Sequence, residues 1–436
     1  MSTALVTRPE PAGLFTRVGG LRHTSPGRLK LLLATLLTLG LLAGLVAAVA
    51  GQSARAGTHD LGGRAQPLLV EAETIYSALA DADTTAAQAF LAGGLEPAAL
   101  TVRYDDDLQR ATTALTSAAR RTPAEGTAAD AVRTLSAGVA EYAALVATAR
   151  ANNRQGLPVG ASYLSEASKL NRETLQPQAR ALFRTAQSEV NDGYGAAAAL
   201  GWMTLLLLLL AGLLIALLLV QRYLSRHTHR TFNVPLVAAT ALTVVLGVGA
   251  LALVVNQQSH LDLAEDEGSG PVASIAESRI LALQARGDEA LTLAARGSGA
   301  AYESDFDAIT ERLTARGGPL VNEYARLDPE LGTVMDRAAD SFRTYVKAHD
   351  QVRAKDDNGD YDGAVDLAIG AKTTQTFEGL RSDLDFALED RKAFFTKEIG
   401  EASGGLGLLT FAGPLLALLI AGLAYVGLRA RLEEYR

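Results

Sequence analysis

Four windows of the chain carry no charged side chain: 31–50, 196–220, 234–255 and 403–428. A helix rises about 1.5 Å per residue, so roughly 20 apolar residues cross the hydrocarbon of a bilayer. Each window therefore predicts a membrane span. The alternative, buried helices of a soluble protein, requires several unusually long and wholly apolar helices in one core. This segregation explains how a chain of 436 residues that is 48% hydrophobic, with positive mean hydropathy, also holds 48 acidic and 40 basic side chains. The first window could instead be the apolar part of a signal peptide, since "AAVAGQSARA" offers small residues to a peptidase. Both the preceding tail and the apolar run are long for that role.

Orientation follows from the arginines and lysines. The tail 1–30 holds Arg8, Arg17, Arg22, Arg28 and Lys30 against Glu10; the loop 221–233 holds Arg222, Arg226 and Arg230 against no acid; the C-terminus 429–436 holds Arg429, Arg431 and Arg436 against Glu433 and Glu434. By the positive-inside rule these three segments face the cytoplasm. The long segments 51–195 and 256–402 then lie outside, carrying 13 basic and 16 acidic side chains in the first and 16 and 29 in the second. Acid in excess outside the cell makes nucleic acid an unsuitable partner. The chain has no cysteine, which removes disulfides, a lipobox, thiol catalysis and a zinc ribbon.

The two halves read as copies. Pro67 in "QPLLVEAETIYSALADA" matches Pro271 in "GPVASIAESRILALQAR" at an offset of 204, and "YDDDLQRAT" from Tyr104 matches "YESDFDAIT" from Tyr302 at 198. Tyr142 and Gly156 align with Tyr345 and Gly359 at 203. One unit of span, outer segment and span is duplicated. Within the outer segments, Val132, Leu135, Val139, Tyr142, Val146 and Ala149 step by three and four residues, as do Met335, Ala338, Phe342, Tyr345, His349 and Val352. That spacing is the buried seam of a helix. Breaks fall at "LAGGLEP", "RTPAEG" and "NNRQGLP" in the first segment and at "ARGSG", "LDPELG" and "DDNGDYDG" in the second. Three breaks make four helices, so the expected fold is all-α: four transmembrane helices and two tandem extracytoplasmic four-helix bundles.

Catalysis has no visible seat. "DDNGDYDGAVDL" places Asp356, Asn358 and Asp360 at the first, third and fifth positions of a calcium loop, but Tyr361 and Leu367 stand where the motif needs Gly and Glu, so it reads as a helix corner. Asp105, Asp106 and Asp107 point about 100° apart on a helix and read as a solvated face. The six histidines form no helical metal pair, no phosphate-binding glycine loop is present, and no ionisable group interrupts the spans to suggest a transport path. No enzyme and no cofactor is expected.

What remains is transfer of information. The cytoplasmic pieces are too small to fold into a domain, so output must pass through another protein. The loop "QRYLSRHTHRTFNVP" anchors topology and contacts lipid or a partner. Its candidate contact residues are Arg222, Arg226, His227, His229 and Arg230.

This order of spans and outer helical units, with "RTFNVPL" entering the third span and the terminal "RARLEEYR", resembles the GlnX family of actinobacterial membrane proteins. The resemblance implies a transducer in the plasma membrane between an extracytoplasmic glutamine-binding-type lipoprotein, sensing aspartate, glutamate or glutamine, and a cytoplasmic serine/threonine protein kinase. Two other classes stay open: a chemoreceptor-like sensor that binds a small molecule itself, and a mechanotransmission subunit of the FtsX type.

Overall fold

The structure, a computed structural model, describes residues 25–228, 233–321 and 324–433. Among the described residues there are helices and no strand. The first half comprises α1 (Ser25–Asp60), a π-helical turn (Leu61–Ala65), α2 (Gln66–Leu91), α3 (Ala98–Arg121), α4 (Thr127–Arg154), α5 (Val159–Leu170), a second π turn (Asn171–Leu175), α6 (Gln176–Ala198) and α7 (Leu200–Thr228). The second half repeats this order: α8 (Val234–Leu263), a π turn (Ala264–Ser269), α9 (Gly270–Ala294), α10 (Ala300–Thr314), a 3₁₀ turn (Tyr324–Arg326), α11 (Pro329–Asp357), α12 (Tyr361–Ile369), α13 (Ala371–Ala402) and α14 (Leu406–Glu433).

The chain forms two compact units, one from residues 1–58, 195–259 and 402–436, the other from 59–194 and 260–401. The first holds the four helical stretches long and apolar enough to cross a membrane, consistent with a multi-pass membrane protein. Its core is built from stripes such as Leu206, Leu210, Leu213 and Leu217 of α7, while Leu208, Ile215 and Leu219 on the other face stay exposed. Lipid tails are as apolar as leucine, so helix pairing here depends on close approach. Gly40, Gly44 and Gly51 of α1 provide it, facing Ala421, Ala417 and Thr410 of α14. Ala199, in the left-handed region at φ 44°, separates α6 from α7, and the buried Gln257 amide donates to the Ala197 carbonyl at 2.8 Å, supplying a partner at that helix end.

In the second unit, loops fall at the expected breaks. The expected seams are buried, from Val132 to Ala149 on α4 and from Met335 to Val352 on α11. The two copies do not stand as separate compact bundles, however; they fold into one unit. The reason lies in α2 and α9. Every residue from Ile75 to Ala87 and from Ala285 to Leu293 is buried, more than two turns without a solvent face. A helix buried all round belongs to the middle of a larger core, and α2 and α9 pack on each other there. The ends at which the chain enters and leaves the unit lie together: Tyr194 donates to Ser269 at 3.1 Å, Gln66 to Thr396 at 2.8 Å, and His260 meets Glu398 at 2.6 Å.

Candidate functional site

The middle of the second unit is charged. Asp81 of α2 is fully buried and accepts from Arg279 of α9 at 2.6 Å, from Arg103 of α3 at 3.3 Å and from Arg110 at 3.4 Å. Arg279 reaches on to Asp385 of α13 at 2.5 Å, and Arg103 to Glu378. Two residues on, toward the opposite face of α2, Asp83 accepts from Ser168 at 2.8 Å and from Tyr142 and Arg172 at 3.4 Å, and Arg172 also pairs with Asp288 of α9. The Arg279–Asp81, Arg103–Glu378 and Arg172–Asp288 pairs tie the first copy to the second. Burial works against the Asp81 carboxylate, but its three arginines outweigh burial and hold its pKa below the usual value. For Asp107, burial and the nearby Asp81 push the pKa up to about 6; for Asp288, burial pushes it up to about 7 against the pull of Arg172.

A second cluster surrounds His349 of α11, which is 2% exposed. Its Nδ1 lies 3.0 Å from Glu289 and its Nε2 3.1 Å from Glu303, while its ring stacks on Phe306 at 3.6 Å. Ionised carboxylates only accept, so two such partners require both ring nitrogens to donate, which is the imidazolium form. Burial pulls the pKa down, but the hydrogen bonds to Glu289 and Glu303 overcome it and set it at about 9. Arg286, also buried, pairs with Glu289 and donates to the Ala368 carbonyl at 2.9 Å.

The duplication makes two related grooves. One lies where α3 packs against α2 and α13, with Thr74, Arg103, Asp107, Arg110 and Arg381 in its wall. There Arg103 meets Glu378 and Asp81, Arg110 meets Asp107 and Asp81, and Arg381 meets Glu378 and Asp385. Its counterpart lies among α2, α6, α9 and α10. It is a cleft of about 360 Å³ with Tyr76 and Phe183 in its lining, Arg180, Arg184 and Arg312 along it, and Glu277 between Arg180 and Arg312. A contiguous pocket of about 330 Å³ extends it toward Arg172, Gln176 and Gln284. Glu73, the other carboxylate in the lining, is taken by Lys392 at 2.7 Å.

The sequence-predicted contact residues lie elsewhere. Arg222 and Arg226 are exposed near the end of α7. His227 lies in that helix with a side chain outside the described set, and His229 and Arg230 lie outside the described residues. Of the acidic triplet, Asp105 and Asp106 are exposed as expected, whereas Asp107 is buried beside Asp81 and Arg110, because the face that packs on α2 includes Tyr104, Asp107 and Ala111. The "DDNGDYDG" segment is a corner: Asp360 caps α12, accepting from the Gly363 amide at 3.0 Å, and pairs with Lys355. No group of metal-ligating side chains occurs among the described residues. Sequence reasoning missed the arginine-lined cleft. Its signal, the pair Arg180 and Arg184 one turn apart on α6, is legible only once Arg312, more than 100 residues on, is placed beside them.

Residues 57–195 match a family model described as an actinobacterial sensor domain. No curated protein matches, and neither does any solved structure.

Proposed function

We propose that the protein is a multi-pass membrane signal transducer that receives its stimulus on an extracytoplasmic helical unit and passes it to a separate cytoplasmic protein, with no catalysis of its own. The observation that carries this reading is the sensor-domain match, which runs from the end of α1 to near the end of α6 and so spans the outer segment of the first copy. The basic segments at 1–30, 221–233 and 429–436 support a cytoplasmic position for both termini and the middle loop. By resemblance, the stimulus is an amino-acid-loaded solute-binding lipoprotein and the receiver a serine/threonine kinase.

The connections suggest how a change would travel. Through residues 58–66 and 259–270 the chain stays helical, by way of a π turn in each copy, whereas the returning connections break at Ala199 and at Ser403–Gly405. On this reading the incoming helices carry displacement and the returning ones give way. Reporter fusions after residues 126 and 318 should read out as extracytoplasmic, and fusions in 221–233 and after 436 as cytoplasmic. Affinity capture of the full protein from its own host should bring down a binding lipoprotein and a kinase. Both long segments reading out as cytosolic overturns the proposal. Replacing Arg226 and Arg230 with glutamine at unchanged topology should weaken the cytoplasmic partner's response; an intact response removes that loop from the partner contact.

A second reading, direct sensing of a small molecule, is favoured by the cleft with unmatched arginines.

A further inference from the structure

The cleft among α2, α6, α9 and α10 holds more cations than carboxylates to meet them. Glu277 is shared by Arg312, in close contact, and Arg180, at 3.8 Å. Arg184 is exposed, and among the described residues no carboxylate pairs with it. Three arginines against one available carboxylate leave an excess of two positive charges on a concave surface, which attracts an anion. The arginine fork matches a carboxylate in a bidentate manner.

The lining narrows the class of anion. Tyr76 is 9% exposed, and among the described residues its hydroxyl makes no hydrogen bond, so a phenolic donor with no internal partner borders the cleft. The apolar side chains of Phe183, Ile280 and Leu281 complete the wall. A compact dianion such as phosphate gains nothing from that apolar wall and is repelled by Glu277. A molecule with one carboxylate and a small apolar body uses the arginines, the phenol and the wall together, and the cleft volume lies in the range of small-ligand sites. We propose that this cleft binds a small organic carboxylate with an apolar body. Because Tyr76 and Arg184 come from the first copy and Glu277 and Arg312 from the second, an occupant touches both copies at once and bears on how they pack. The proposal extends the direct-sensing reading and is independent of the partner at either end.

The test uses the full chain in lipid nanodiscs and isothermal titration with benzoate, hexanoate, acetate and inorganic phosphate at constant ionic strength. Benzoate or hexanoate should bind saturably at one site per chain, with acetate at least tenfold weaker for lack of an apolar body and phosphate without saturable binding. Arg184→Gln should weaken binding tenfold or more, since a hydrogen bond to a charged group is lost. Tyr76→Phe should weaken it severalfold. Arg120→Gln, which removes an exposed arginine of α3, should leave it unchanged. Arg184 makes no internal pair, so its variant should fold as the parent does, checked by an unchanged melting temperature without ligand. Absence of saturable binding of both carboxylates by cooperatively melting protein overturns the proposal. So does binding that survives Arg184→Gln unchanged, or phosphate binding as tight as benzoate, which marks a general anion patch. Loss of partner capture with carboxylate binding intact would break the relay reading and leave this site standing.

Discussion

The two grooves created by the duplication have related helical walls and different electrostatic states. In the groove beside α3, each arginine has a carboxylate partner: Arg103 has Glu378 of the neighbouring copy and Asp81, Arg110 has Asp107 and Asp81, and Arg381 has Glu378 and Asp385. In the cleft beside α10, Arg184 has none and Arg180 and Arg312 share Glu277. The first is closed internally and holds the copies together. The second is left with charge to be answered from outside. A duplicated fold can thus keep one copy of a surface for cohesion and release the other for binding, and the interior pairs show which is which.

The largest effect should separate these roles. Asp81→Asn leaves Arg279, 3% exposed, and Arg103 without their central anion. Breaking a buried pair from one side typically costs about 3–5 kcal/mol, so the variant should unfold at markedly lower temperature or denaturant than the parent. Arg184→Gln removes one charge from the counterpart cleft and, without ligand, should change stability by less than about 0.5 kcal/mol. Equal costs would erase the distinction between the grooves.

The copies differ at their cores in the same sense. The first copy places Thr85 and Val146 where the second places Glu289 and His349, and Asp105 where the second places Glu303. The first copy's core at this level is sealed with an apolar side chain and a hydroxyl, the second with an ionic triplet. The folded pKa of His349, about 9, lies above the usual unfolded value of roughly 6.5. Its stabilisation is fully present below pH 6.5 and is lost as pH rises through 9. Over 2 to 3 pH units this amounts to about 3 kcal/mol. Between pH 7 and 9, stability should fall for the parent, whereas His349→Gln should start lower and show a flatter profile. Val146→Ala, at the matching position of the first copy, should lower stability by about 1 to 3 kcal/mol with no pH dependence of its own. Urea titrations at pH 7, 8 and 9 compare the three, and a parent profile flat over this range would contradict the ionic triplet.

Much of this architecture was legible in the chain. The spans declare themselves by lack of charge, and the seam positions on α4 and α11 by their spacing. The shared core was not, for a physical reason. Local periodicity tells a helix which side faces inward, but α2 from Ile75 to Ala87 and α9 from Ala285 to Leu293 are buried on every side, and charges that ordinarily mark a solvated face, Asp81, Asp83, Arg279 and Arg286, are themselves buried. Their partners lie far along the chain, Asp81 and Arg279 being 198 residues apart. No window of sequence contains both ends of such a pair, so the cohesion of the copies and the cleft beside it became visible only in three dimensions.

The spans repeat the contrast at smaller amplitude. A Cβ at Gly51 of α1 would lie 2.6 Å from the Thr410 hydroxyl and 2.9 Å from its backbone nitrogen, so Gly51→Ala must move α14. Overpacking of this kind costs about 1–3 kcal/mol. At Gly247 of α8, in the corresponding span of the second copy, a methyl meets nothing within 4 Å, and Gly247→Ala should be neutral or slightly stabilising. Thermal unfolding in matched detergent compares them, and a neutral Gly51→Ala would remove close packing as the reason for the α1 and α14 contact.

The smallest effect falls within the acidic triplet. Asp105 and Asp106 face solvent, and no ion pair joins either to the described residues. A carboxylate in that position interacts through water and salt, so its contribution is a few tenths of a kcal/mol at most. Replacing both with asparagine should therefore shift stability by less than about 0.5 kcal/mol. Their neighbour Asp107 is in contact with Arg110, and its buried carboxyl is already pushed toward the neutral form by burial and by Asp81. Asp107→Asn removes a charge that the site holds reluctantly, but it also loosens Arg110 from the seam, so its cost should lie between that of the surface pair and that of Asp81→Asn. Three consecutive aspartates ordered in this way would show that the side of α3 facing α2, and not the density of charge along the chain, sets what each carboxylate contributes. A double Asp105, Asp106 variant as damaging as Asp107→Asn would instead assign the triplet a joint role that its geometry does not provide.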